Sequence, residues 1–242
     1  MDAIKTDALV KRYGDVVAVE NLSLCVKEGE IFALLGINGA GKTTTIKMLS
    51  CLTEPTSGDA WLMGKSIRRD AAQVKSLIAV SPQETAVAPG LSVRENLELM
   101  CGIHGFTKDM RREKIETLTV LLGLESVIGR KAGKLSGGWQ RRLSIAMALI
   151  SEPKILFLDE PTLGLDVLAR SELWDMIRSL KGKVTIILTT HYMKEAEALS
   201  DRIAIMKAGR LLVCDTAQKL KEMAGTQDFE DAFVRIIQEV RQ

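Results

Sequence analysis

Gly36-Ile37-Asn38-Gly39-Ala40-Gly41-Lys42-Thr43-Thr44 decides how this chain is read. It fits G-x-x-x-x-G-K-[ST] at every fixed position and directly follows the uncharged aliphatic run 31–35. Glycines at these positions let the backbone curl so that successive N–H groups face a polyphosphate, and a helix starting near Lys42 adds the positive end of its dipole. Lys42 supplies a point charge for the β- and γ-phosphates, and the Thr43 hydroxyl is a candidate Mg²⁺ ligand. With this composition a chance match is expected in about one chain in seventy. A dinucleotide-binding turn fails here, because the third position is Asn38 and such a turn has no need of the Lys-Thr pair.

Outward from that loop, short β-branched and aliphatic runs alternate with segments of helical period, predicting an α/β protein on a mainly parallel sheet. The clearest buried strands are 31–35, 155–158, 185–189 and 203–206. The first three end in polar or glycine-rich turns, so the chemistry is expected there, outside the carboxyl ends of the strands. Between Thr85 and Lys134 the pattern turns helical, with helices predicted over 93–101 and 108–122, the second bearing Ile115, Leu118, Leu121 and Leu122 on one face. This reads as a helical insertion, with Pro82 and Pro89 near one boundary and Gly129 and Gly133 near the other. After Gly209 a strand over 211–214 and a helix over 229–240, apolar at Phe229, Phe233, Ile236 and Ile237, are expected to close on the core.

Composition narrows the function classes. The chain has 242 residues, 46% hydrophobic and 26% charged, an ordinary globular balance with a net charge of +2. That charge is spread evenly, so strong electrostatic binding to nucleic acid or anionic lipid is not expected, and a phosphate partner must be recognised locally. Cys25, Cys51, Cys101 and Cys214 form no C-x-x-C pair and read as reduced thiols. The longest charge-free run is 31–41, short of the roughly 18 residues of a membrane span, and the start has no secretory pattern.

Other strand ends supply further candidates. The strand 155–158 ends in Asp159-Glu160; alternation along a strand turns the first toward the metal and the second toward a water in line with the γ-phosphate, where a base contributes about 10² to 10⁴ in rate. His191 follows Thr189 and Thr190 and suits a hydrogen bond to the γ-phosphate or the attacking water. Gln83 opens the insertion after a strand-like 77–80, and its amide can touch Mg²⁺ or water. Tyr13 is a candidate for stacking on adenine, against the alternative of a partly buried core tyrosine. His104, within the helical insertion, reads as ordinary.

One motif remains, Leu135-Ser136-Gly137-Gly138, directly before a helix through Arg141, Arg142 and Leu143. With it, the set resembles the ATP-binding subunit of ABC transporters. That family's order of aromatic residue, Walker A, glutamine loop, signature, Walker B with a catalytic glutamate, D-loop and switch histidine matches Tyr13, Gly36 to Thr44, Gln83, Leu135 to Gly138, Ile155 to Glu160, Leu165-Asp166 and His191. Two positions differ: Trp139 stands where the family usually has glutamine, and the D-loop reads Leu163-Gly164-Leu165-Asp166 rather than Ser-Ala-Leu-Asp.

The resemblance implies a P-loop NTPase fold over 1–242, with an antiparallel β lobe near the N-terminus and a helical subdomain over 84–150 carrying the signature, ahead of the C-terminal strand and helix in 210–242. It implies Lys42, Glu160 and His191 as catalytic residues, with Thr43, Gln83 and Asp159 around Mg²⁺. ATP binding then falls to Tyr13, Gly36 to Thr44 and Gln83, with Ser136, Gly137, Gly138 and Asp166 acting on nucleotide held by a second copy in a head-to-tail dimer. The segments 43–49, 55–58 and 190–197 resemble the drug-resistance subset of exporter ATPases, which pair with a separate permease at the cytoplasmic face of the membrane. The alternatives are a soluble ABC-type ATPase of DNA repair or ribosomes, whose paired cassettes, coiled coils and cysteine clusters are not seen here, and a regulator that binds ATP without hydrolysing it.

Overall fold

The computed structural model describes residues 1–239. The chain opens with three strands, β1 (Asp2–Tyr13), β2 (Val16–Leu22) and β3 (Cys25–Lys27), then crosses into a second sheet through β4 (Ile31–Leu35), followed by α1 (Lys42–Leu49). β5 (Ser57–Leu62) and β6 (Lys65–Ser66) return to the first sheet, and α2 (Ala71–Leu77) leads to β7 (Ile78–Ser81). Three helices follow, α3 (Val93–Ile103), α4 (Lys108–Leu121) and α5 (Gly137–Leu149). The rest alternates: β8 (Ile155–Asp159), α6 (Val167–Ser179), β9 (Thr185–Thr190), α7 (Met193–Leu199), β10 (Arg202–Lys207), β11 (Arg210–Asp215), α8 (Ala217–Met223) and α9 (Phe229–Glu239).

The second sheet has the order β11-β10-β4-β9-β8-β7 and is parallel except for the antiparallel edge strand β11. The first has the order β2-β1-β5-β6 with β3 on β1, antiparallel throughout. β4, β8 and β9 are buried at every position, as expected of strands covered on both faces. Their alternation divides the core in two. Ile31, Ala33, Leu35, Leu156, Leu158, Ile186 and Leu188 face a cluster shared with the helices, while Phe32, Leu34, Ile155, Phe157 and Ile187 join one with the β lobe and α1.

The helical segment forms where its local signals lie. Ser92 and Glu95 make a capping box at the start of α3, and Thr107 caps α4 through the Met110 N–H. α3 runs two residues past the expected end at Cys101, and Leu122 is the C-cap of α4 rather than its last residue. The strand expected over 77–80 is shifted by one, because Leu77 closes α2. Four helices not anticipated are present, α2, α6, α7 and α8. In α9, Phe229, Phe233 and Ile236 are buried against α7 and α8, and Ile237 is half-buried; Val240, the expected end of this helix, lies outside the described residues. No helix among the described residues is long and apolar enough to cross a membrane.

Phe157, on β8 one strand in from the β7 edge, is fully buried against the β-lobe face. Phe157→Ala is expected to cost about 3–5 kcal/mol in equilibrium denaturation, by lost burial and the cavity left behind. A cost below about 1 kcal/mol would mean that this face is not the close-packed layer described.

Candidate functional site

Because β4, β7, β8 and β9 are parallel, their carboxyl ends deliver four turns to one edge of the sheet: Gly36, Pro82-Gln83, Glu160 and His191. Register holds them together, with Leu35 opposite Thr190, Asp159 opposite Thr189 and Ser81 opposite Leu158. They border a cleft of about 530 Å³ whose lining includes Asn38 to Thr44, Gln83, Glu160, Leu163 and His191, with Val16 to Ala18 on the β-lobe side. The loop can take this path only with glycine at two points. A Cβ on Gly36 would lie 2.4 Å from the Met206 carbonyl oxygen, and Gly41, at φ +99°, would direct one to 2.6 Å from that of Ala18. Gly41 offers α1 no side-chain cap, so the first-turn amides present their positive dipole end to the cleft.

The charged side chains here are nearly buried and mutually engaged. Lys42 Nζ donates to the Gly36 carbonyl at 2.7 Å and lies 3.5 Å from Glu160 Oε1. Glu160 Oε2 is 2.8 Å from His191 Nδ1, so one carboxylate bridges lysine and histidine. Thr43 Oγ1 donates to Asp159 Oδ1 at 3.3 Å, and Asp159 also accepts from the Thr189 hydroxyl. These oxygens, with the Gln83 amide on the same cleft, form a hard donor set of the kind Mg²⁺ takes while keeping water and phosphate ligands.

Strand alternation does not aim Glu160. β8 ends at Asp159, and Glu160 lies in the left-handed region at φ +48°, where a non-glycine residue is strained by about 1–3 kcal/mol. Its N–H donates to the Thr189 hydroxyl at 3.0 Å, which holds the bend and turns both acidic side chains toward the loop.

Sequence reasoning missed Arg141. Its guanidinium is buried on α5 and donates to the carbonyls of Pro82 and Gln83, both at 2.5 Å. Desolvation lowers its pKa, opposed by the Asp159 and Glu195 charges. The available signal was its position among Leu143, Ser144 and Ile145, which put it on the inner face of α5.

Five expected site residues lie elsewhere in the chain. Tyr13 is half-exposed beneath the Lys11 ammonium, so it is not a core tyrosine, and Val16 rather than Tyr13 lines the cleft. Ser136 is the exposed N-cap of α5, but its hydroxyl makes no capping bond; a serine-capped helix start is therefore not what it forms. Gly137 and Gly138 abut Leu165 and Ala169. Asp166 caps α6, accepting from the Leu168 and Ala169 N–H groups at 2.9 Å. Trp139 packs beside Arg142, and the amide of Gln140 donates to the carbonyls of Ala132 and Leu135.

Comparison with known proteins is consistent with this geometry. Residues 19–163 match the family described as ABC transporter. The chain is 41% identical over 224 residues to the daunorubicin resistance ATP-binding protein DrrA3 of Streptomyces coeruleorubidus, covering 92% of this chain and 71% of that one. It is 42% identical over 211 residues to the human phospholipid-transporting ATPase ABCA3, covering 87% of this chain but spanning only 12% of that protein's length. Among solved structures, cbiO1 of Clostridium perfringens, part of the ABC transporter complex cbiONQ, superposes with a TM-score of 0.83 at 26% identity, over 91% of this chain and 95% of that one.

The Arg141 fork makes a prediction of its own. Arg141→Lys cannot satisfy both carbonyls in the same geometry and is expected to lower stability by about 1–3 kcal/mol in thermal or denaturant unfolding. An unchanged unfolding midpoint would mean that the two carbonyls find other donors.

Proposed function

The chain belongs to the ABC transporter family, and on that premise we propose that it binds and hydrolyses ATP to drive an exporter through a separate membrane permease. The observation that carries the reading is the union, on one cleft, of a phosphate loop, a buried lysine, an acidic strand end and the Glu160–His191 pair. Amides of residues 38–44 and the Lys42 ammonium bind the β- and γ-phosphates. Thr43, Asp159 and Gln83 hold Mg²⁺, which when bound neutralises charge on the phosphate oxygens. A water oxygen attacks the γ-phosphorus, the bond to the β–γ bridging oxygen breaks, and the water proton passes to the Glu160 carboxylate, giving ADP and phosphate. His191, 2.8 Å from Glu160, orients that carboxylate and reaches toward the γ-phosphate.

Support for an exporter comes from likeness to a daunorubicin resistance ATP-binding protein. Likeness to a subunit of an ABC transporter complex supports a permease partner, and with it a position at the cytoplasmic face of the membrane. We assign the helical subdomain over 84–150 to permease coupling, because Gln83 joins the cleft to its first segment. A second copy completes the site in this reading. The cleft has no residue of the 135–138 segment in its lining among the described residues, so Ser136 and the amides of Gly137 and Gly138 are available to the γ-phosphate on a partner, beside its Asp166 segment. Closure on two ATP and opening after hydrolysis then form the working cycle.

Phosphate release and nucleotide binding, measured alone and with a co-expressed permease, test this. Lys42→Ala is expected to lose ATP binding. Glu160→Gln is expected to bind ATP normally while steady turnover falls by about 10² or more. Ordinary turnover in Glu160→Gln would remove Glu160 from the chemistry, and a wild-type chain that binds ATP but releases no phosphate under either condition would favour the regulator.

A further inference from the structure

The mechanism above leaves unused a carboxyl group with no exposure at all, that of Glu195. Glu195 lies in the first turn of α7, four residues after His191, and is fully buried. Its Oε1 accepts from the Thr162 hydroxyl at 2.7 Å and from the Trp174 indole N–H on α6 at 3.1 Å. Its Oε2 has no partner among the described residues. Burial pushes its pKa up and the nearby Glu160 charge adds to this, against the Thr190 and Thr162 hydroxyls and the Trp174 indole, which lower it. A carboxyl group in such a position costs stability, and an apolar side chain of similar size would fill the space at less cost. Fold stability therefore does not account for it.

What the group connects does. Thr162 stands two residues after Glu160, in the turn whose Leu163 N–H donates back to the Glu160 carbonyl. The helix carrying Glu195 begins two residues after His191, whose ring lies 4.1 Å between centroids from that of Tyr192, and the Arg170 guanidinium of α6 lies over the Tyr192 ring at 4.8 Å. The strand ends that bear Glu160 and His191 are thus tied twice, once by their own side chains and again one turn deeper by Thr162 and Glu195. Since Glu160 sits on a strained backbone, the second tie fixes where its carboxylate stands.

We propose that Glu195 is a positioning residue for hydrolysis: by holding Thr162 and Trp174 it sets the segment after Glu160 against the helix after His191, and so fixes the geometry of the Glu160–His191 pair. This rests on the hydrolytic reading above. It predicts that loss of the tie lowers kcat while leaving ATP binding intact, because the phosphate loop and the bond from Lys42 to the Gly36 carbonyl stand outside it.

The test uses the full chain in the preparation where wild type turns over, with kcat, KM and ATP affinity measured beside the unfolding midpoint. Glu195→Ala and Thr162→Val are expected to lower kcat at least about tenfold with KM and ATP affinity within about twofold of wild type. Glu195→Gln, whose amide oxygen can accept the same two hydrogen bonds, is expected to retain most of the wild-type kcat. In a His191→Ala background, Glu195→Ala is expected to add little further loss, since both act through one pair. Should Glu195→Ala not fold, Thr162→Val, a near-isosteric change, carries the test. Wild-type kcat in the folded variants, a raised KM with unchanged kcat, or independent effects in the double variant would overturn the proposal. A wild-type chain that binds ATP without releasing phosphate would overturn the hydrolytic reading, and this inference with it; normal wild-type turnover with unaffected variants overturns the inference alone.

Discussion

The direction of four neighbouring strands is the constraint on which the rest depends. β4, β9, β8 and β7 run parallel, so every polar turn that follows them emerges at one edge. Hydrogen-bond register then decides which residues meet. A one-residue slip of β8 would part Asp159 from Thr189 and exchange Leu156 and Phe157 between the two core layers. The apolar alternation that excludes that slip is therefore also what assembles the polar cluster. Packing and chemistry are two consequences of one register.

The cluster itself is a set of charges that satisfy one another within hydrogen-bonding or ion-pair distance. Lys42 meets the Gly36 carbonyl and Glu160, Glu160 meets His191, and Asp159 meets Thr43 and Thr189. Such a site is preorganised, since donors and acceptors are oriented by the backbone before any reaction begins. It is also one-sided. The start of α5 faces away from this cleft, against α6, and Leu163, Val167 and Leu168 beside it are exposed. An apolar, uncovered edge next to this helix start fits the proposed closure of one copy on another.

How much of this could be read from sequence follows from how local each signal is. The loop from Gly36 to Thr44 and the buried strands were legible because spacing and alternation carry their own mechanism. Asp159 and Glu160 were found for the right strand but with the wrong reason for Glu160, since alternation cannot foresee a left-handed residue held by the Thr189 hydroxyl. α6 was missed although Asp166 marks its start and Leu173, Met176 and Ile177 its inner face, a pattern overshadowed by the neighbouring motif. What Arg141 and Glu195 engage was illegible for a different reason. Their partners are backbone carbonyls and side chains brought close only by the tertiary fold. Tyr13 was plausible as an adenine platform by its type and position, yet the cleft wall is built by the residues after the β1–β2 turn.

The central claim is that a single copy carries half of each working site and that nucleotide joins two copies. Light scattering on the Glu160→Gln chain, with and without saturating magnesium and ATP, tests it most directly. The account predicts the mass of one copy without nucleotide and of two copies with it. A mass of one copy under both conditions at every protein concentration, alone and together with the permease, would contradict it.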